Sequence, residues 1–286
     1  MSNILLLKRK IKTAQNVSKT TRAMQMIAAS KLNRAQIAAL SSRPFVEKIT
    51  ELTKSVSHKI EDEKKHKYMR QNGSNATLLI LFTPDKGLCG GMVTNAVRQL
   101  IDFDSSSKNV SYIAVGKKAE GALASFNKQM VASFDFGTIL PSFEQVLPLI
   151  KLIDDLYLNS KVGAVKVIYT DFKSVFQQSP KTVDLLPIKI GDEVKISESS
   201  VTLFEPDPED LLPFLLRQYM EMNLFQFFLE NYLSEQAARM IAMQNATDNA
   251  KELIKDLRLA YNKSRQERIT NEILDISGGS IFAYGQ

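Results

Sequence analysis

A chain of 286 residues has room for about two domains, and its 44% hydrophobic content supports a packed core. The single cysteine, Cys89, excludes an internal disulfide and fits a reducing compartment, and two histidines, His58 and His66, argue against a histidine-centred metal site or triad. The net charge is a moderate +6, and the apolar runs are far shorter than the roughly 20 residues of a membrane helix.

A long basic helix is the first predicted element, because residues 1–43 contain neither proline nor glycine. The segment carries nine basic side chains and has no acidic and no aromatic residue. Its apolar and small residues recur at steps of three and four, which predicts a narrow seam against another helix. This seam consists of Leu7, Ile11, Ala14, Ser18, Thr21, Gln25, Ala28, Leu32, Ala35 and Ala39. After Pro44 we expect the helix to resume over residues 47–57.

The acid-free basic helix is open to several interpretations. A solvated helix face is one, although such faces usually carry compensating Glu or Asp. Nucleic-acid binding by phosphate neutralisation is another, but stacking aromatics should then accompany the charges. An acidic protein surface, an anionic lipid surface and a mitochondrial transit peptide are the remaining alternatives, and the lack of tryptophan argues against lipid.

Residues 58–75 have the composition of a charged linker, and the period changes after them. Short apolar runs typical of buried parallel strands then alternate with helical segments, which predicts a Rossmann-like α/β domain. The expected strands are residues 78–82, 112–115, 130–134 and 165–169, with edge strands at 183–190 and 201–204. The expected helices are residues 88–103, 117–127 and 142–159.

A second long helix is predicted at the end of the chain, since residues 214–277 contain no proline and no glycine. Asp207 is a suitable cap, Pro208 suits the first helical position, and Gly278 and Gly279 predict the helix end. Its seam keeps coiled-coil spacing with one stutter, through Met222, Phe225, Leu229, Tyr232, Gln236, Met240, Met243, Thr247, Ala250, Ile254, Leu257 and Tyr261.

Both long helices flank one domain, so we expect them to pair as an antiparallel coiled coil projecting from an α/β body. The expected domains are a coiled-coil helix at 1–58, a linker at 59–75, the central α/β domain at 76–205 and a second coiled-coil helix at 206–286.

One glycine-rich segment is a candidate site. Residues 85–91, DKGLCGG, follow the first predicted strand and open a helix, where phosphate loops lie in α/β folds. The segment lacks both GxxxxGK[ST] and GxGxxG, which leaves a tight turn or a contact loop for another protein as the better alternatives. Cys89 has Lys86 near it in sequence but no histidine in its domain, which argues against nucleophilic catalysis.

Several segments resemble the gamma subunit of bacterial F-type ATP synthases. They are AMQM at 23–26, AASK at 28–31, DKGLCGG at 85–91, EPDP at 205–208, SEQAARM at 234–240, ATDNA at 246–250, YNKSRQ at 261–266 and ITNEI at 269–273. These segments occur in the family's order, so the resemblance covers the whole chain. The ending departs from the family pattern, because Ser280 follows Gly279 where Gly-Ala is usual.

The resemblance implies a non-catalytic rotor shaft that couples ion-driven rotation of the c-ring to conformational cycling of the beta-subunit sites. Its expected partners are the alpha and beta ring, the epsilon subunit and the c-ring, at the cytoplasmic face of the bacterial inner membrane. No cofactor, metal or nucleic acid is expected, and a nucleic-acid-binding coiled-coil protein is the alternative.

The resemblance also implies contact residues. Met24, Lys86 and Cys89 match positions near the beta levers. A second set matches contacts with the ring near the tip: Arg239, Gln266, Thr270 and Glu272. A third set matches the foot near the c subunits: Thr202, Phe204 and Glu205.

Overall fold

The computed structural model describes residues 2–60, 66–107, 109–189 and 204–283, with side chains between Ile4 and Leu274. Helix α1 (Ser2–Ser57) and helix α5 (Pro208–Ala283) are the two long elements. The remaining elements, in chain order, are β1 (Thr77–Phe82), α2 (Met92–Ser106), β2 (Val110–Val115), α3 (Lys117–Ser125), β3 (Met130–Phe134), α4 (Val146–Leu158), β4 (Ala164–Phe172) and β5 (Gln178–Leu186), with 3-10 turns at Lys67–Met69 and Phe143–Gln145.

The chain divides into two compact units. The helical unit comprises Met1–Ile27 and Met240–Gln286, and the sheet unit comprises Ala28–Arg239. Among the described residues, no helix combines the length and apolar character needed to cross a membrane.

In the helical unit, α1 and α5 pack antiparallel through small residues. The hydroxyls of Thr21 and Thr247 share a hydrogen bond of 2.7 Å. Ala14, earlier in α1, lies in a groove together with Ala250, later in α5, and both are buried. Every predicted seam residue of both helices in this unit is buried or half-buried, which confirms the three-and-four spacing.

The sheet unit contains one five-stranded sheet in the order β3-β2-β1-β4-β5. The first four strands are parallel, and β5 pairs antiparallel with β4. The predicted α/β class and the four parallel strands are therefore confirmed. The edge strand predicted at 183–190 is wrong in its bounds, because the polar residues 178–182 also pair with β4 and Pro187 offers no N–H to continue the ladder. For the strand predicted at 201–204, residues 201–203 lie outside the described residues and Phe204 is not in a strand.

The central strands are buried on both faces, which explains their uninterrupted apolar runs. On one face, Leu81 and Ile168 pack in a core with Leu100 of α2. On the other face, Phe228 of α5 meets the ring of Phe82 edge-on at 4.8 Å. Each such side chain contributes about 1.5–3 kcal/mol by its burial.

Both helix-boundary predictions at glycine and proline need correction. Pro44 does not interrupt α1, because it lies exposed, where the carbonyl that loses its partner can meet solvent. Gly278 and Gly279 do not end α5, which continues to Ala283. Glycine permits a helix end at low steric cost without imposing one.

Candidate functional site

The candidate site is the glycine-rich loop, residues 85–91, which lies between β1 and α2 at the carboxyl edge of the sheet. Leu88 and Gly90 both adopt left-handed backbone conformations, with φ of 62° and 58°. Glycine reaches this region without penalty, whereas leucine does so at a steric cost. Leu88 nevertheless points outward, with 64% of its surface exposed. The left-handed backbone of Leu88 therefore persists only because neighbouring residues hold the loop in this conformation.

One anchor of the loop is the carboxylate of Asp85. Its Oδ1 accepts hydrogen bonds from the backbone N–H of Lys117 at 2.9 Å and of Phe136 at 3.2 Å. Its Oδ2 accepts a third from the N–H of Gly137 at 2.8 Å. The loop is thereby tied to the start of α3 and to the segment after β3.

The second anchor is Arg239 of α5, whose guanidinium donates to the carbonyls of Lys86 at 3.2 Å and Gly87 at 3.3 Å. The same guanidinium pairs with the carboxylate of Glu235 at 2.6 Å, and only 4% of that side chain is exposed. Burial raises the pKa of Glu235, and the charge of Arg239 opposes the rise. Removing Arg239 would leave a buried, unpaired carboxylate.

Cys89, within the loop, has an almost fully buried side chain. Burial raises the pKa of its thiol, and the nearby positive charge of Arg239 offsets this only in part. A buried, protonated thiol is a poor nucleophile and cannot touch another chain directly. Among the loop side chains, those of Lys86 and Leu88 are exposed.

The predicted contact residues fall into different parts of the molecule. Lys86, Cys89 and Arg239 come together in the sheet unit through the loop contacts. Met24 is exposed on α1 of the helical unit. Three further residues are exposed on α5 of that unit: Gln266, Thr270 and Glu272.

The exposed residues of α5 mainly bond within their own helix. The hydroxyl of Thr270 donates to the carbonyl of Gln266 at 3.0 Å, and Arg268 pairs with Glu272 at 2.8 Å. Pairs of this kind contribute only a few tenths of a kcal/mol each, about 0.2–0.5 kcal/mol. These groups can therefore exchange partners at small cost.

The predicted foot residues lie just before α5. Phe204 is half-buried, and the ammonium of Lys59 stands 4.5 Å from the centre of its ring. Glu205 is exposed, and Thr202 lies outside the described residues.

Helix α5 occupies the carboxyl edge of the sheet, where α/β folds usually bind nucleotides. The amide oxygen of Asn231 accepts from the N–H of Thr170 at 3.3 Å, and the hydroxyl of Ser234 donates to the carbonyl of Thr170 at 3.0 Å. This packing argues against the nucleotide-loop interpretation. Within the described ranges, no group of three or more His, Cys, Asp or Glu side chains is arranged to hold a metal ion.

Sequence reasoning missed Asp85 as an anchor and Leu88 as the exposed crest of the loop. The partners of Asp85 lie 32, 51 and 52 residues away along the chain, so no local pattern identifies them. For Leu88, the one feature of the sequence that could have indicated exposure is its position as an apolar residue inside a polar, glycine-rich turn.

Comparisons with known proteins agree along nearly the full length. A family model described as ATP synthase matches residues 3–281. The chain is 39% identical over 282 residues to a protein named ATP synthase gamma chain from Dehalococcoides mccartyi, spanning 98% of this chain and 99% of that one. It is 37% identical over 292 residues to an ATP synthase gamma chain from Paraburkholderia phytofirmans, with the same coverage.

Solved structures show the same fold at low identity. A chain of the Euglena gracilis mitochondrial ATP synthase matches with a TM-score of 0.73 at 17% identity, covering 99% of this chain and 95% of that chain. A chain from the central stalk and c-ring of the Tetrahymena thermophila mitochondrial ATP synthase matches with a TM-score of 0.60 at 24% identity. The match covers 79% of this chain and 99% of that chain.

Proposed function

Because this chain belongs to the ATP synthase gamma-chain family, we propose that it is the rotor shaft of a bacterial F-type ATP synthase, transmitting ion-driven rotation to the catalytic subunits. It is a non-catalytic subunit of that complex. The observation that carries the proposal is 39% identity to gamma chains over 98% of the sequence.

The helical unit supports a role inside a sleeve of other subunits. Its two helices meet through small residues, and the basic side chains of α1 point outward: Lys8, Arg9, Lys10, Lys12, Lys19 and Arg22. Attraction between these charges and acidic lever loops of beta subunits varies gradually with angle and distance. A partner held in this way can turn past the helix, whereas close apolar packing would fix one angle.

The contact residues take their proposed roles from the same family. Met24, Lys86 and the exposed crest of the glycine-rich loop would meet the beta levers, with Cys89 as a buried support. Gln266, Thr270 and Glu272 would contact the surrounding alpha and beta ring. The family resemblance implies the same contact for Arg239, but its guanidinium holds the glycine-rich loop, so we propose that it acts through that loop instead. Thr202, Phe204 and Glu205 would lie near the c-ring, beside the epsilon subunit.

These partners imply a place for the chain in the cell. An assembly containing the c-ring lies at the membrane, and we infer that this chain is held at the cytoplasmic face of the bacterial inner membrane through that ring.

Affinity purification of the chain from its own cell tests the proposal. We expect recovery of a magnesium-dependent ATPase that contains alpha and beta subunits. A variant that ends at Arg265 serves as a comparison, and we expect it to retain the folded sheet unit and to recover less coupled activity. Recovery of the full chain without any ATPase subunit would contradict the proposal.

A further inference from the structure

The glycine-rich loop has no regular secondary structure, yet side-chain hydrogen bonds hold its first three residues, Asp85, Lys86 and Gly87. We infer that Asp85 is a positioning residue: its carboxylate fixes the conformation in which the loop presents Leu88 and Lys86 to a partner subunit. The inference rests on the proposed function and adds to it a residue that touches no partner itself.

The geometry of Asp85 ties together the chain segments that follow three neighbouring parallel strands. Asp85 itself comes after β1, Lys117 comes after β2, and Phe136 and Gly137 come after β3. Because the carboxyl ends of parallel strands meet at one edge, a single carboxylate reaches all three segments. The three N–H donors are 2.8–3.2 Å from its oxygens.

The backbone around this anchor has little freedom to rearrange. Gly116, just before Lys117, has φ of 101°, and a Cβ built on it would lie 2.0 Å from the carbonyl oxygen of Thr83. The N–H of Gly116 donates to the carbonyl of Phe134 at 2.8 Å. The donors that Asp85 binds are therefore held in place by the sheet, and the loop conforms to them.

The chemistry requires a carboxylate at this position. Two oxygens accept three N–H groups, and neither oxygen needs to donate. An asparagine has one acceptor oxygen, so its amide NH2 would face the N–H of Gly137 or those of Lys117 and Phe136. An alanine offers no acceptor at all. We therefore expect Asp85→Ala to disturb the loop conformation most and Asp85→Asn to disturb it less, relative to wild type.

The consequence for function lies at Leu88, which keeps a left-handed backbone while its side chain is exposed. Such a conformation persists only where its surroundings determine it. Asp85 fixes the loop on the strand side, and Arg239 fixes it on the side of α5. Without the first anchor, Leu88 can relax to an ordinary conformation and its side chain moves away from the partner.

The test uses the assembled ATP synthase carrying Asp85→Ala, Asp85→Asn or the control Asp135→Asn. Asp135 is a suitable control because its side chain is 76% exposed and, among the described residues, its ion pair is with Lys117 alone, at 4.0 Å. ATP hydrolysis and ATP-driven ion pumping are measured at equal amounts of assembled complex. We expect Asp85→Ala to lower the ions pumped per ATP hydrolysed several-fold, Asp85→Asn to lower it less, and Asp135→Asn to leave it unchanged.

A second readout reports the three hydrogen bonds that Asp85 accepts. In the same complexes, hydrogen exchange at the amides of Lys117, Phe136 and Gly137 should be faster in Asp85→Ala than in the control. Protected amides in that variant, or loss of hydrolysis and pumping in equal proportion, would overturn the positioning role. If the wild-type chain pumps and Asp85→Ala pumps equally well, this inference fails while the proposed function stands. If the wild-type chain itself supports no pumping, both fail.

Discussion

The two units of this chain use the same pair of helices in different ways. In the sheet unit, α5 packs aromatic rings against a five-stranded sheet. The part of α1 in that unit has small and apolar residues that are buried, among them Leu32, Ala35 and Ala39. In the helical unit, α1 and α5 meet each other through small and hydroxyl residues such as Ala14 and Thr247. Burial of large apolar surface therefore concentrates in the sheet unit, and the helical unit keeps its polar groups available to partners.

The largest effect should come from the aromatic core of the sheet unit. Phe228 is buried between Phe82, at 4.8 Å, and Phe136, at 5.7 Å. We expect Phe228→Ala to lower the free energy of unfolding by about 3–5 kcal/mol, because it removes apolar contacts and leaves a cavity. Urea denaturation measures the change.

The matched control is Phe214→Ala on the same helix, where the ring is 61% exposed and the change should stay within about 0.5 kcal/mol. Equal losses from both variants would show that the buried aromatic core around Phe228 does not hold the stability that we assign to it.

Enlarging a small residue should distinguish the two units. Ala35 in the sheet unit is 0% exposed, so Ala35→Leu should cost about 1–3 kcal/mol in the free energy of unfolding through overpacking. Ala14 in the helical unit borders an open groove of about 510 Å³, and Ala14→Leu should cost less. Urea denaturation of the two variants side by side measures the difference. The reverse order would contradict a tightly packed seam in the sheet unit.

A pH-dependent effect is expected at Glu230, where α5 meets α1 and β4. Gln226 donates to this carboxyl at 2.9 Å and Arg43 lies 3.4 Å from it. Burial raises its pKa, the negative charge of Asp171 adds to the rise, and Gln226 and Arg43 oppose it. A raised pKa in the folded state means that this group favours folding below its ordinary pKa of 4.5 and loses that contribution as the pH rises through the folded value.

Glu230→Gln should therefore gain stability relative to wild type as the pH rises from 4.5 toward neutrality, as measured by thermal unfolding at a series of pH values. Glu51→Gln is the control, because Glu51 is exposed and, within the part of the chain that the structure describes, its carboxylate pairs with Lys48 alone. If the difference between Glu230→Gln and wild type were independent of pH, the assigned pKa shift would be wrong.

The smallest effect belongs to the hydroxyl pair in the helical unit. Thr247 donates to the carbonyl of Met243 at 2.7 Å and shares a hydrogen bond with Thr21. Thr247→Val keeps the shape and should cost about 0.5–1.5 kcal/mol of local stability. Hydrogen exchange at the α5 amides near residue 247 measures it. A Thr21→Val, Thr247→Val double variant with fully additive losses would show that the pair is not coupled.

The periodicity of apolar residues was sufficient to predict the long helices and the buried strands. The seam from Leu7 to Ala39 was predictable because one helix face recurs every three or four residues, and the strands because both of their faces are apolar. The true end of α5 was not predictable, since Gly278 and Gly279 lower helix propensity without stopping a helix.

The position of the candidate site was predictable from the sequence, but the side chains that hold the loop in place were not. The glycine-rich composition of residues 85–91, DKGLCGG, indicates a loop at this position. The exposure of Lys86 agrees with a contact loop. The anchors came only from the structure, because Arg239 reaches the loop across 152 residues of chain. The family resemblance predicted Cys89 as a contact residue, and its burial argues against direct contact with a partner.

The most direct test of the account is to watch this chain turn. Phe176 is 86% exposed in the sheet unit, so Phe176→Cys offers a thiol for attaching a bead, while Cys89 is buried and its raised pKa keeps it unreactive. In a complex with alpha and beta subunits fixed to a surface, we predict that ATP turns the bead continuously in one direction. Sustained ATP hydrolysis with a stationary bead on an intact complex would contradict the rotor assignment.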